Sequence, residues 1–204
     1  MGRRGLLVVI SAPSGTGKGV LRRQLLREMP DLRFCVSVTS RPPRPGEQEG
    51  VDYYFVSPEE FQRRIQEEVF VEWAKVYGNY YGTPGLEIGE ALERGEDVLL
   101  EKDVQGGREL RKKFPDGIFI FILPPRLESL EERLKGRGTE SQGDLQRRLT
   151  AVKIELAELR NYDYLVINDE IDRAVQDLRA IIVAERCRIS RMDVSSPFFQ
   201  WLGR

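Results

Sequence analysis

Five apolar residues, Leu6-Leu7-Val8-Val9-Ile10, run into Ser11-Ala12-Pro13-Ser14-Gly15-Thr16-Gly17-Lys18-Gly19, and a helical pattern begins at about Lys18. Strand, glycine-rich loop, helix is an order that commits a chain to an α/β fold, because a strand buried on both faces needs helices to cover it. The loop turns successive backbone N–H groups into a concavity that suits phosphate, at the positive end of the following helix. Lys18 adds a mobile positive charge over the outer phosphates. The segment points to a nucleotide polyphosphate held by residues 12–19.

Two positions depart from the usual G-x-x-x-x-G-K-[ST] pattern. Ala12 stands where the first glycine is usual, a small loss if its φ is negative. Gly19 stands where a hydroxyl would ligate Mg²⁺, and Val20 after it also lacks an oxygen. Mg²⁺ is therefore expected to be held by phosphates, water and a more distant carboxylate, since this ion needs few protein ligands.

No histidine occurs among the 204 residues, which excludes Ser-His-Asp hydrolysis and His-ligated zinc. Lys, Arg, carboxylates, hydroxyls and a metal remain, and phosphoryl transfer needs that set. Lys plus Arg number 32 against 33 Asp plus Glu, so a net charge of −1 gives no general attraction to nucleic acid or an anionic membrane. No apolar stretch reaches bilayer length and no signal peptide is recognisable, so a soluble, cytoplasmic protein is expected. Cys35 and Cys187 read as small buried apolar residues rather than a disulfide or metal pair.

Along the chain, strands are expected at Leu6–Ile10, Phe34–Val38, Tyr53–Val56, Phe70–Val76, Asn79–Gly82, from Val98 to near Asp103, Ile118–Leu123 and Tyr164–Ile167. Helices are expected at Lys18–Met29, Pro58–Glu68 with Ser57 as cap, Leu86–Arg94, Gly106–Lys113, Leu145–Arg160 and through the stripe Ile171, Ala174, Val175, Leu178, Ile182. Leu127, Leu130 and Leu134 share another helix face, and Gly136–Gly143 is a polar break. Alternating strands and helices predict a parallel sheet covered on both faces. The segment 37–83 breaks that alternation and reads as an inserted lobe. The core then comprises 1–36 and 84–192, with a lid at about 136–148 and a tail at 193–204. Ligands in such folds sit beyond the carboxyl ends of the strands, where the loop after Ile10, Ser37 and Asp103 all fall.

Ser37, Arg41, Arg44, Tyr53 and Tyr81 form a second candidate site. Two guanidinium groups give directional, charge-assisted bonds to a phosphate, and hydroxyls complete its shell. Composition alone reads the same residues first as an exposed basic loop beside two tyrosines of the lobe core.

Several segments together resemble the guanylate kinases in their bacterial form, over nearly the whole chain from Leu6 to about Met192. They are Ser-Ala-Pro-Ser-Gly-Thr-Gly-Lys at 11–18, Ser-Val-Thr-Ser-Arg-Pro-Pro-Arg-Pro-Gly-Glu at 37–47, Gly-Val-Asp-Tyr-Tyr-Phe at 50–55, Gly-Asn-Tyr-Tyr-Gly-Thr at 78–83, Asp-Val-Gln-Gly at 103–106, Gly-Arg-Gly-Thr-Glu at 136–140 and Asn-Asp at 168–169. The resemblance implies a P-loop three-layer fold with a GMP-binding lobe of short strands plus a helix, and a mobile lid. It implies ATP and GMP, and dGMP with it, as substrates in purine nucleotide metabolism. Ser37, Arg41, Arg44, Tyr53 and Tyr81 would hold the GMP phosphate, and Glu72, Thr83 and Asp103 would read guanine. Ala12, Pro13, Ser14, Gly15, Thr16, Gly17, Lys18, Gly19 and Asn168 would bind ATP. Lys18, Arg41, Arg133, Arg137 and Arg148 would neutralise charge on the transferring group.

The residue chemistry agrees with that assignment. Guanine presents N1–H and a 2-amino group, both donors, on one edge, and a carboxylate is an acceptor-only group. Adenine lacks both donors there. The pattern also departs from the family: Glu101-Lys102-Asp103 stands where two aspartates are common, and Lys102 replaces a usually apolar residue. Glu101 could still orient metal-bound water, and Lys102 should point away from Asp103 along a strand. Two other readings stay open at this point: a guanylate-kinase-like module that only binds protein partners, and a kinase of another small phosphorylated acceptor.

Overall fold

The computed structural model describes residues 4–13, 16–76, 78–126, 152 and 154–192. Ser14, Gly15, Arg133, Arg137 and Arg148 lie outside the described residues, as do the expected lid at 136–148 and the tail at 193–204. Among the described residues the chain runs β1 (Leu7–Ser11), α1 (Lys18–Glu28), β2 (Leu32–Phe34), β3 (Val38–Thr39), β4 (Tyr54–Phe55), α2 (Pro58–Gln66), β5 (Phe70–Val76), β6 (Asn79–Pro84), α3 (Leu86–Glu93), β7 (Asp97–Lys102), α4 (Val104–Lys113), β8 (Ile118–Leu123), β9 (Tyr164–Ile167) and α5 (Ile171–Arg186).

The first sheet has the order β2-β7-β1-β8-β9 and is parallel throughout. All of β1 is buried, and so is β8 up to Ile122, which is why both read as unbroken apolar runs. Side chains alternate across the sheet. Val8, Ile10 and Ile120 face Leu21 and Leu25 of α1 and Leu178 and Ile182 of α5. Leu7, Val9 and Phe119 face Ile88 of α3 and Leu110 of α4. Helix, sheet, helix is the three-layer α/β fold the sequence predicts. The strand order reverses at β1, so a crevice opens at its carboxyl end, where the glycine-rich loop begins.

The second sheet, β4-β3-β6-β5, comes from within 38–84. Its core is the ring stack of Phe61 on Phe70 at 4.5 Å and on Tyr80 at 5.3 Å. Gly82 is needed against that stack, because a Cβ there would fall 2.8 Å from Phe70 and 2.9 Å from Phe61.

Two boundaries differ from expectation for identifiable reasons. The strand expected at Phe34–Val38 is divided: β2 stops at Phe34 and β3 starts at Val38, in different sheets, so residues 35–37 cross between them. Helix α2 ends at Gln66 because Glu68 adopts φ +54°, with its N–H bonded to Ile65 O and that of Val69 to Arg64 O. Two carbonyls are thereby satisfied by a left-handed cap. Both cysteines are free; Cys35 is buried, but Cys187 is exposed just after α5 rather than buried as expected.

Candidate active site

The phosphate loop leaves β1 through Ala12 and Pro13, both buried, and enters α1 through Gly17 at φ +85°. Only glycine holds that conformation cheaply, and a Cβ would also stand 3.2 Å from Asn168 Nδ2. Asn168, just past β9 and buried, donates from Nδ2 to Thr16 O at 2.7 Å. The Thr16 hydroxyl donates to Pro13 O. Asn168 therefore braces the loop from behind. Lys18 Nζ donates to the main-chain carbonyl of Lys102 at 2.7 Å, joining α1 to the end of β7.

Next to this loop lies a cleft of about 350 Å³ whose walls include Gly19, Arg22, Ser37, Arg41, Arg44 and Tyr53. Arg41 is buried and grips Glu47 with both prongs, each at 2.8 Å. Glu47 also accepts the Arg44 N–H at 2.7 Å, so one carboxylate shapes the whole 41–47 turn. The Arg41 guanidinium lies 5.3 Å from the Tyr53 ring, and Tyr53 meets Tyr81 at 6.0 Å edge to face. Arg41, Arg44, Tyr53 and Tyr81, expected together, are brought together. A larger cavity of about 800 Å³, beside Gly5, Pro115 and Arg191, opens at the amino ends of the strands. Its Glu185 is already taken by Tyr164, Arg188 and Arg191, and it contains none of the loop machinery.

The acceptor-rich end is built on β5, β6 and the start of α4. Glu72 Oε1 accepts from the Thr83 hydroxyl and lies 3.0 Å from Lys102 Nζ. All three residues are buried. Lys102 Nζ also donates to Ser37 Oγ at 2.8 Å. Asp103 caps α4, with Oδ1 accepting from Gly106 N at 2.7 Å. A Cβ on Gly106 would meet Asp103 Oδ1 at 3.1 Å and Glu72 Oε2 at 3.3 Å, so the two carboxylates converge on that glycine. Lys102 pairs with a carboxylate instead of reaching solvent, and its Cδ would lie 3.5 Å from a Cβ on Gly106, on the same glycine as the two carboxylates.

Ionisation follows this packing. The hydrogen bonds that Arg41 donates to Glu47 hold the guanidinium above its already high range and pull the Glu47 carboxyl below the usual carboxylate range. Burial raises the Tyr53 phenol to about 12. Burial also pushes Asp52 up, but the Gln48 N–H and Arg22 outweigh it and leave the group low. Glu155 is raised to about 7 by burial, with Lys18 pulling it down and Asp103 pushing it further up.

Arg22 lines the cleft and was missed by the sequence reading, as was Glu155, a half-buried carboxylate that feels the charges of Lys18 and Asp103. Arg22 falls four residues after Lys18 on the same helix face, a spacing that could have flagged it. It is buried, with Nη2 2.7 Å from Asp52 and Nε 3.6 Å from Glu101. Nothing in the 154–157 segment pointed to the phosphate loop before the fold put Glu155 near Lys18.

Gly19 and Val20 offer no oxygen, Glu101 faces Arg22, and among the described residues no group of three or more Asp, Glu, Cys or His could hold an ion. These residues do not form a protein cage for a resident metal.

A family model described as guanylate kinase matches residues 4–185. The guanylate kinase of Caldanaerobacter subterraneus subsp. tengcongensis is 51% identical over 189 residues, which cover 93% of this chain and 92% of that protein. That of Syntrophomonas wolfei subsp. wolfei is 49% identical over 194 residues, 95% of this chain and all 100% of the relative. The crystal structure of guanylate kinase from Anaplasma phagocytophilum matches with a TM-score of 0.81 at 30% identity, covering 97% of each chain. Matched over most of its length by the family model and by relatives about 50% identical, the chain belongs to the guanylate kinase family.

Proposed function

We propose that this protein transfers the γ-phosphoryl group of ATP to GMP, and to dGMP, giving ADP and GDP or dGDP. The observation that carries the reading is the polarity of the region beside the phosphate loop. One end is cationic, with Arg41 and Arg44; the other is acceptor-rich, with Glu72 and Asp103 converging at Gly106. A guanosine monophosphate has the complementary order, anionic phosphate at one end and two N–H donors at the other. An adenine base offers no N–H donor at that edge, so buried Glu72 and exposed Asp103 would gain no bond from it.

In the reaction an oxygen of the acceptor phosphate attacks the γ-phosphorus of ATP. A new P–O bond forms, the bond to the β–γ bridging oxygen breaks, and ADP leaves. The attacking oxygen is already anionic, so no general base is needed. Lys18 and Arg41 spread the charge of the transferring group. Arg133, Arg137 and Arg148 are assigned the same work on the strength of their sequence positions. Ser37, Tyr53 and Tyr81 complete the phosphate shell, and Thr83 holds Glu72 on the base. The 38–84 sheet and the 136–148 segment are assigned to a lobe and lid that close over the substrates and exclude water. A magnesium ion carried by ATP would neutralise phosphate charge, and Glu101 would orient water bound to it. The same reading assigns the protein to the cytoplasm and to purine nucleotide metabolism, by its likeness to bacterial guanylate kinases. No described helix is long and apolar enough to cross a membrane.

A coupled assay of ADP formation with GMP, dGMP, AMP and IMP as acceptors tests the reading. Turnover with GMP and dGMP far above AMP supports it. No turnover by folded protein would leave a binding module, and a preference for a non-guanine acceptor would overturn the base assignment.

A further inference from the structure

We infer that Lys102 is a positioning residue that fixes the hydrogen-bond polarity of the purine pocket and thereby its preference for guanine. The inference rests on the reading of this cleft as the GMP site.

Residues 98–100 of β7 are apolar, and an ammonium at the end of that strand is costly to bury unless it is paired. Here it is paired twice. Lys102 Nζ sits 3.0 Å from Glu72 Oε1 and 2.8 Å from Ser37 Oγ, and the side chain is almost wholly enclosed. An ammonium can only donate. Its bond to Ser37 therefore occupies the hydroxyl oxygen as acceptor and leaves the Ser37 proton free to turn to an acceptor oxygen of a ligand. On the other side, Glu72 Oε1 already accepts from both Thr83 and Lys102. Glu72 Oε2 remains, directed with Asp103 Oδ1 toward Gly106.

The same charge has a second effect. Glu72 and Asp103 approach the same glycine, and two like charges so close disfavour each other. Lys102 offsets that repulsion from behind Glu72. Lys102 thus presents Glu72 to the ligand as an acceptor and Ser37 as a donor. Its main-chain carbonyl meanwhile receives Lys18 Nζ, so one residue touches both halves of the site.

The test is Lys102→Met assayed with GMP, IMP and ATP beside the wild type. IMP lacks only the 2-amino donor. The variant is expected to raise KM for GMP about tenfold or more, with a smaller change in kcat and KM for ATP within about twofold. Its preference for GMP over IMP should shrink. A residue that merely filled space would move none of these, since methionine keeps the length and most of the volume. If Lys102→Met does not fold, Glu72→Gln is compared with Glu72→Gln/Lys102→Met, which buries no unpaired carboxylate. The two should then share one GMP-over-IMP preference within about threefold, because Lys102 acts on the base through a group already altered, while KM for GMP rises further through Ser37. Lys102→Met with wild-type KM and preference, or a further change of preference in the double variant, overturns the role of Lys102 alone. A wild type that does not phosphorylate GMP removes the reading beneath it.

Discussion

Arg41 and Glu47 form a two-pronged ion pair, with Nη1 and Nη2 each 2.8 Å from a separate carboxylate oxygen. Both side chains are largely enclosed, so the pair fixes the plane of the guanidinium in the cleft wall. Glu47→Gln should loosen that plane and raise KM for GMP about tenfold, while KM for ATP stays put. Steady-state kinetics checks it. A lower KM for GMP would mean that Glu47 competes with the phosphate instead of aiming Arg41.

Lys18 stands at the first turn of α1 with its ammonium on the carbonyl of Lys102, close to the loop that would wrap the polyphosphate. Lys18→Met should cut kcat by about 10³ or more, with GMP affinity by calorimetry nearly unchanged. Wild-type turnover in that variant would remove Lys18 from the phosphate clamp.

Glu155 gives a pH signature. Its value of about 7 lies above the 4.5 of an unperturbed glutamate. Between those values the folded protein holds a proton that the unfolded chain has released. Stability from this group is therefore full below pH 4.5, falls as pH rises through the window, and levels off above 7. Glu155→Gln removes that loss. Melting curves of both proteins from pH 5 to 8 should show the variant gaining on the wild type as pH rises; a constant difference would contradict the assignment.

Glu68 holds φ +54° at an exposed position, where its side chain gains little from the surroundings. Glycine adopts this conformation without the Cβ penalty, though it also gains freedom in the unfolded chain. Glu68→Gly should stabilise by about 0.5–1 kcal/mol, read as a Tm higher by about 2 °C. An unchanged or lower Tm would show that the cap carries no strain.

The core of the fold was legible because its strands are apolar without interruption and its helices carry apolar stripes. Leu6–Ile10 and Ile118–Leu123 could scarcely be anything but buried parallel strands. The break between Phe34 and Val38 was not legible, because a chain passing from one sheet to another stays extended and keeps the same residue types. Lys18 declared itself through charge and spacing, whereas Arg41 and Glu72 stood out only through the resemblance to guanylate kinases. The partners of Lys102 and Arg22 were hidden, because a charged residue in a strand or helix looks solvated until the fold is known. Their partners come from far along the chain: Ser37 and Glu72 for Lys102, Asp52 and Glu101 for Arg22.

The most direct measurement is a crystal structure of the protein with GMP. The phosphate should lie within hydrogen-bonding distance of Arg41 and Arg44, and the N1–H and 2-amino edge should face Glu72 and Asp103. GMP bound with its base away from Glu72, or outside the cleft lined by Ser37, Arg41 and Tyr53, would contradict the account.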